Sequence, residues 1–527
     1  MARVADILVD SLISQGADLA FGVPGESFLA VLDAFYDRQE GFRFITNRHE
    51  GGAGFMAEAY GKLTGKPGLC FVTRGPGATN AAIAVHTARQ NSTPMIMFVG
   101  QIQSGDRDRE AFQELDYRQV FAGLAKWVTE LDNPNRTSEI IRRAYNIALS
   151  GRPGPVVVAL PENVLRMETV SLVAKKVEFP VPRANAPDLS RACDLYLASS
   201  NPLIVVGGGG WTSADRAAVK RFTKRDNTPI IAAFRCQDLV DHTSQNYVGD
   251  AGVGMPSSSY RALKECDLLI AVNVRFGEML TDAWSLLEDR KEMPKLVHLH
   301  REAGEVNKVY HADIALCGVP EDILNAFPSH PAAENWALKH REDFLELRKK
   351  PTISALSMAN LCAILNESLP SDAVITNGAG NFAAWPSRHI DFGKGRRLLA
   401  PQSGAMGFGV PASIAAKIES PKRHILCFAG DGDFQMTANE LATAAQYNAR
   451  PNILILNNRS LGTIAMHQNR DYPKRVSGTE LVNPDFQRIA QSCGFDFIRL
   501  DASEKLDNAA SRLVSEQGLI VEITEYG

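Results

Sequence analysis

Eight short stretches of the chain are apolar almost without interruption and close on, or just before, a turn-forming residue. They read GLCFVT, MIMFVG, PVVVAL, PLIVVGG, DLLIAVN, DAVITNG, HILCFAG and NILILNN. Alternation of apolar and polar residues would mark a sheet with one wet face. Continuous apolar runs mark strands buried on both faces, and therefore parallel sheets covered by helices on either side. The longer segments between the runs carry helical patterns, beginning with MARVADILVDSLISQG, an amphipathic helix at the N-terminus. The pattern predicts an α/β protein of doubly wound parallel sheets. Ligands of such sheets gather at the carboxyl ends of the strands, where these runs turn polar.

Two shifts in composition divide the chain. The stretch after GRPGPVVVALPENVL (151–165) turns polar and proline-containing, and a proline-flanked charged helix spans roughly 328–352. Three α/β domains are expected, at 1–165, 185–330 and 350–527, which suits 527 residues, too many for one core. Repeats and low-complexity segments are absent from the sequence. Hydrophobic residues at 45%, charged residues at 22% and a net charge of −4 describe an ordinary globular protein with no call for nucleic acid or an anionic membrane. No apolar run approaches the ~18 residues that span a bilayer. The first residues lack the basic start and cleavage site of a signal peptide, so a cytoplasmic protein is expected. The eight cysteines (70, 193, 236, 266, 317, 362, 427 and 493) form no C-x-x-C pair and read as reduced thiols.

The strongest chemical signal lies in the third domain. HILCFAG ends in Gly430-Asp431-Gly432, and NILILNN ends in Asn457-Asn458. Asp431 and Asn458 are 27 residues apart, the separation of consecutive parallel strands joined by a helix. Such a unit sets a carboxylate beside an amide oxygen. With the backbone carbonyl of Ser460 they form a hard-oxygen set for Mg²⁺, which readily shares diphosphate oxygens. Gly430 and Gly432 allow close backbone approach, and the helix N-terminus that follows favours anions. Asp433, Leu461, Gly462 and Ile464 border the same site. Alone, G-D-G is a tight turn; paired with N-N at this spacing it reads as a metal–diphosphate site.

That pair of motifs resembles the signature of the thiamine diphosphate enzymes, which include acetolactate synthase, pyruvate decarboxylase and oxalyl-CoA decarboxylase. FGVPGE, RHEGGAGFMAEAYGKLTGKPG, GPGATNA, AFQELD, GRPGPV, GAMGFGVPASIAA and NNRSLG are most similar to the acetolactate synthase large subunit. The resemblance covers nearly the whole chain and is thinnest in the middle domain. It implies a carboligase or lyase acting on 2-oxo acids or related ketones, with thiamine diphosphate and Mg²⁺, through ylid and enamine intermediates. It also implies that Glu50, in RHE, sets the tautomer of the cofactor's pyrimidine through a hydrogen bond to the far ring nitrogen. Glu50 would serve a cofactor held by a neighbouring subunit, giving a homodimer or homotetramer. Met406, in GAMGFG with Gly404, would be the apolar wedge beneath the cofactor's bend. Pro76 and Asn80, in TRGPGATNA, would border the cofactor, and Phe112 and Gln113 the reaction pocket.

Departures from the family pattern bear on substrate. His86 stands where acetolactate synthases carry a small residue, and His467 where they carry a Trp that selects the second oxo acid. Both are candidates for catalysis or substrate binding. TNGAGNFAAW (376–385), with Asn377 and Asn381, replaces a D-x-G-Q-H-Q stretch. The His pair and the second Glu of simple decarboxylases are also missing: QIQSGDRDRE follows MIMFVG, and Ile464 stands six residues past Asn458. Carboligation, or cleavage of a larger substrate, is the better reading. In the middle domain PLIVVGGGGW could receive a phosphate, and Arg275 matches a family position for FAD. HLHRE (298–302), however, lacks the acidic ribose partner, so FAD, a CoA or ADP moiety, and an empty domain all stay open. The rival functions are a 2-hydroxyacyl-CoA or cyclic-dione lyase, an acetyltransferase of the sulfoacetaldehyde type, and a non-catalytic binding or assembly subunit.

Overall fold

The computed structural model describes residues 1–289, 292–331, 333–349, 357–500 and 506–524. The boundary expected near 350 lies outside the described residues. Each apolar run becomes a strand, and the strands assemble into three six-stranded sheets. The pairings within these three sheets are parallel throughout, as expected of strands buried on both faces.

The first sheet runs Arg43–Thr46, Leu19–Gly22, Gly68–Val72, Met95–Gln101, Pro155–Pro161, Trp127–Glu130. The third runs Arg397–Leu399, Val374–Asn377, Ile425–Gly430, Asn452–Leu456, Leu519–Ile523, Asp496–Leu500. With strands counted from one within each sheet, both orders are 2-1-3-4-6-5, so the two outer units share a topology. The middle sheet is ordered 3-2-1-4-5-6, the dinucleotide-fold order, from Tyr247–Ala251 to Ile314–Cys317.

The outer units also share a core. Helix Glu50–Thr64, EGGAGFMAEAYGKLT, is buried over Gly51–Gly61 because its small residues admit neighbours closely. It packs on helix Gly409–Glu419, with Phe55 edge-on to Phe408 at 5.4 Å between ring centres. Five of the eight cysteines are buried, and none forms a disulfide among the described residues. Among the described residues, no helix is long and apolar enough to cross a membrane.

The middle sheet meets the first unit through its glycine run. A side chain at Gly209 would put Cβ 2.1 Å from the Ser92 carbonyl oxygen and 2.9 Å from that of Asn91. Both obstacles are backbone. Gly209→Ala is therefore expected to destabilise the protein by about 1–3 kcal/mol, the range for overpacking a tight contact, read as a lower midpoint of chemical denaturation.

Candidate active site

Strand Ile425–Gly430 lies beside Asn452–Leu456, with Gly430 opposite Leu456. Asp431 and Asn457-Asn458 therefore leave adjacent strand ends, as their spacing predicts. Asp431 opens helix Asp431–Gln435 and is 2% exposed. Its Oδ2 accepts a 2.7 Å hydrogen bond from Asn483 Nδ2, which also reaches Asn457 Oδ1 at 2.8 Å. No side-chain hydrogen bond to Oδ1 is present among the described residues. Asn458 Oδ1 accepts from the Ser460 amide at 3.1 Å, folding the Asn458–Ser460 turn into a tight loop, and a Cβ on Gly462 would meet Asn458 Nδ2 at 2.7 Å.

Around this pair, a Cβ on Gly432 would fall 2.8 Å from Leu461, 3.1 Å from Leu481 and 3.8 Å from the Met406 methyl. Met406 and Leu461 thus wall the cradle at Gly432. Gly404, at φ +67°, turns the chain into the Met406 loop. Asp433 is enclosed: its Oδ1 accepts from the amides of Ala379 (3.1 Å) and Gly407 (2.9 Å), and burial pushes its carboxyl up to about 7. Asp433 ties two loops of the site together from behind. Helix Gly462–Asp471 has no buried residue, and Ile464, Met466 and His467 stand exposed along it.

The residues expected at the other half of the site gather on the first unit. Glu50 is the first residue of its helix, and Asn80 Nδ2 donates to Glu50 Oε2 at 2.9 Å. A Cβ on Gly77 would lie 3.4 Å from Glu50 Oε1, so the glycine keeps that oxygen clear. Pro76 is the second residue of helix Gly75–Asn91 and is exposed. Gln113, at φ +63°, accepts the Gly75 amide on its carbonyl, drawing the loop with the exposed Phe112 to the same helix end. His86 is exposed on the face that carries Asn80 and Ile83. The structure thus forms two clusters, Glu50 with Asn80 and Asp431 with Asn458 and Met406. Among the described residues no hydrogen bond joins Glu50 to the second.

The replaced stretch at 376–385 divides. Asn377 is buried, and its Oδ1 takes a 2.8 Å bond from Arg235 of the middle unit, whose guanidinium burial pulls down to about 10. Asn381 stays at the surface and accepts from Thr463 Oγ1 at 3.0 Å, beside the helix of His467. Three residues that hold the site escaped sequence reasoning: Asn483, Arg235, and Glu440, whose carboxylate reaches the segment before Glu50. None of the three lay inside a family-like stretch, and nothing local marked them.

The residues present fit thiamine diphosphate with a divalent cation. One carboxylate oxygen free at a strand end, an amide oxygen and a loop carbonyl are hard donors, and a glycine cradle lies beside them. Among the described residues no three His, Cys, Asp or Glu side chains cluster, so a cation here would complete its shell with diphosphate oxygens. The glycine run of the middle unit is used in close packing. Gly207, Gly208, Gly209 and Gly210 are backed by Ala233, Asn273, Ser92, and Arg301 with Pro153. The cavity lined by Arg275, His298, Glu305, Lys308 and Tyr310 holds about 190 Å³, below the ~300 Å³ at which ligand pockets begin.

Parallel sheets with an Asp and an Asn at neighbouring strand ends, beside a glycine cradle, define a diphosphate-binding enzyme of the thiamine class. Comparison with known families matches residues 2–120 to the thiamine pyrophosphate enzyme N-terminal TPP binding domain, 189–327 to its central domain and 378–523 to its C-terminal TPP binding domain. The mitochondrial acetolactate synthase catalytic subunit of Aspergillus candidus is 30% identical over 554 residues, covering 97% of this chain and 79% of that one. The acetolactate synthase large subunit of Parasynechococcus marenigrum is 29% identical, covering 98% and 87%; the Escherichia coli isozyme 2 large subunit is 28% identical, covering 98% and 94%. The chain belongs to the thiamine pyrophosphate enzyme family, and it is a thiamine diphosphate-dependent enzyme.

Proposed function

We propose that this enzyme is an acetolactate synthase-like carboligase, joining a fragment of one 2-oxo acid to a second carbonyl compound. The observation that carries the reading is the adjacency of Asp431 and Asn458 at the ends of two paired parallel strands, in a chain whose relatives, matched over 87% and 94% of their length, are named acetolactate synthases. Bound thiamine diphosphate would supply a nucleophilic carbon able to stabilise negative charge after a C–C bond breaks.

The chain's own residues would do the rest. Asp431, Asn458 and the Ser460 carbonyl would hold Mg²⁺ and so fix the diphosphate. Met406 and Leu461 would shape the bound form. Glu50 would exchange a proton with the pyrimidine ring, its carboxyl oriented by Asn80. Gln113 and Asn80 are neutral hydrogen-bonding groups suited to a site that handles carbanion-like charge. His86 and His467, both exposed, would face the acceptor rather than the cofactor.

The active unit we propose is a homodimer or a larger homo-oligomer. Among the described residues Glu50 has no hydrogen bond to the Asp431 cluster, and Met436, Ile464, Met466 and Val482 leave apolar surface exposed on the unit that carries that cluster. A second copy offering its Glu50 face would cover them.

The test is product analysis by NMR on pure protein reconstituted with thiamine diphosphate and Mg²⁺ and given pyruvate alone, then pyruvate with a second carbonyl compound. Acetolactate or a mixed ligation product is the expected result. Inert pyruvate with turnover of a 2-hydroxyacyl-CoA or a cyclic dione would replace the carboligase reading by the lyase reading.

A further inference from the structure

The segment Asn47-Arg48-His49 joins strand Arg43–Thr46 to the helix that begins at Glu50, and one carboxylate from the other end of the chain holds it. Glu440 is fully buried on the turn Ala438–Glu440. Its Oε1 accepts from the amides of Arg48 (3.1 Å) and His49 (3.0 Å), and its Oε2 from Asn47 Nδ2 (3.1 Å) and Thr443 Oγ1 (2.6 Å). Two more bonds latch the same segments: Thr46 donates its amide to the Tyr447 hydroxyl at 2.7 Å, and Arg48 donates to Gln446 at 2.6 Å. Gly52 completes the socket, since a Cβ there would lie 2.4 Å from Glu440 Oε1.

Glu440 is also tied to the diphosphate cluster. Its amide donates to the Thr437 carbonyl, Thr437 Oγ1 donates to the Gly407 carbonyl at 2.8 Å, and the Gly407 amide donates to Asp433. Hydrogen bonds, joined through the residues that make them, therefore lead from Asp433 and the Met406 loop to the residue before Glu50. We propose that Glu440 is the positioning residue for Glu50, linking the half of the chain that holds the diphosphate to the acid that activates a cofactor. This rests on the role given to Glu50 above. If Glu50 serves a partner's cofactor, Glu440 is also the link by which one site senses the other.

The chemistry of the socket sets the test. Gln at 440 keeps one oxygen for the Arg48 and His49 amides but turns an NH₂ group toward Asn47 Nδ2. Asn47 cannot turn to accept it, because its Oδ1 already holds the Gly22 amide at 3.2 Å. Two donors face each other, and the segment must shift. Asp at 440 withdraws the carboxylate by one methylene.

Glu440→Gln, Glu440→Asp and Gly52→Ala would be compared with wild type and Glu50→Gln in the full-length enzyme. Displacement of a catalytic group by about 1 Å costs up to ~100-fold, so kcat is expected to fall by roughly 10- to 100-fold. The KM for the oxo acid and the affinity for thiamine diphosphate should stay close to wild type. Amide hydrogen exchange of Arg48 and His49, read on cofactor-free protein, should accelerate in all three. Unchanged kcat and exchange in Glu440→Gln would overturn the proposal. So would a parallel loss of kcat, cofactor affinity and melting temperature in all three variants, which marks a structural role. An active Glu50→Gln enzyme would remove the role of Glu50 itself, whatever Glu440→Gln does.

Discussion

Glu50→Gln is expected to bind thiamine diphosphate and Mg²⁺ as wild type does and to turn over about 10²- to 10⁴-fold more slowly, the range for removing a general acid–base group. The side chain is half-buried at the head of its helix, where Asn80 Nδ2 holds one oxygen and Gly77 leaves the other clear. Glutamine has the same shape and can still accept from Asn80, so the fold and the Glu440 socket should stay intact. What it loses is the exchangeable proton. Stopped-flow turnover set beside calorimetric binding separates the two effects. A Glu50→Gln enzyme with wild-type kcat would show that another group performs the proton transfer.

Asp431→Asn should act on the other half. Asp431 is nearly inaccessible, and Asn483 satisfies one of its two oxygens. An amide in its place removes the negative charge and can turn an NH₂ group toward the cation. Removing an outer-shell partner of a metal ligand typically costs ~10–100-fold in affinity. Replacing the ligand should cost more, whereas Asn483→Ala should fall within that range. Thiamine diphosphate titrations at several Mg²⁺ concentrations would resolve both. Equal affinity in wild type and Asp431→Asn would remove Asp431 from the metal site.

Much of this arrangement is legible in the sequence because it rests on local rules. The apolar runs are strands since only a strand covered on both faces tolerates eight such stretches, and parallel pairing follows from that burial. Asp431 and Asn458 stand together because each ends a strand and the strands are neighbours, so their separation along the chain predicts their proximity in space. Other features had no such signature. Asn483 meets Asp431 across 52 residues, and Glu440 meets His49 across 391. No periodicity announces contacts made by loops, whether within a unit or between units. The glycine run at 207–210 is ambiguous for a related reason. Glycine marks close approach by something, and a carbonyl at Ser92 leaves the same trace as a phosphate. Asn377 stands in the stretch that departs from the family pattern, and its partner, a buried arginine of the middle unit, is equally unmarked in the sequence.

The measurement that bears most directly on the whole account is an isothermal titration of metal-stripped wild-type protein with thiamine diphosphate, with and without Mg²⁺. Saturable binding at one site per chain that requires Mg²⁺, and that EDTA abolishes, is the predicted result. Failure to bind thiamine diphosphate at any Mg²⁺ concentration, in protein that remains folded, would contradict it.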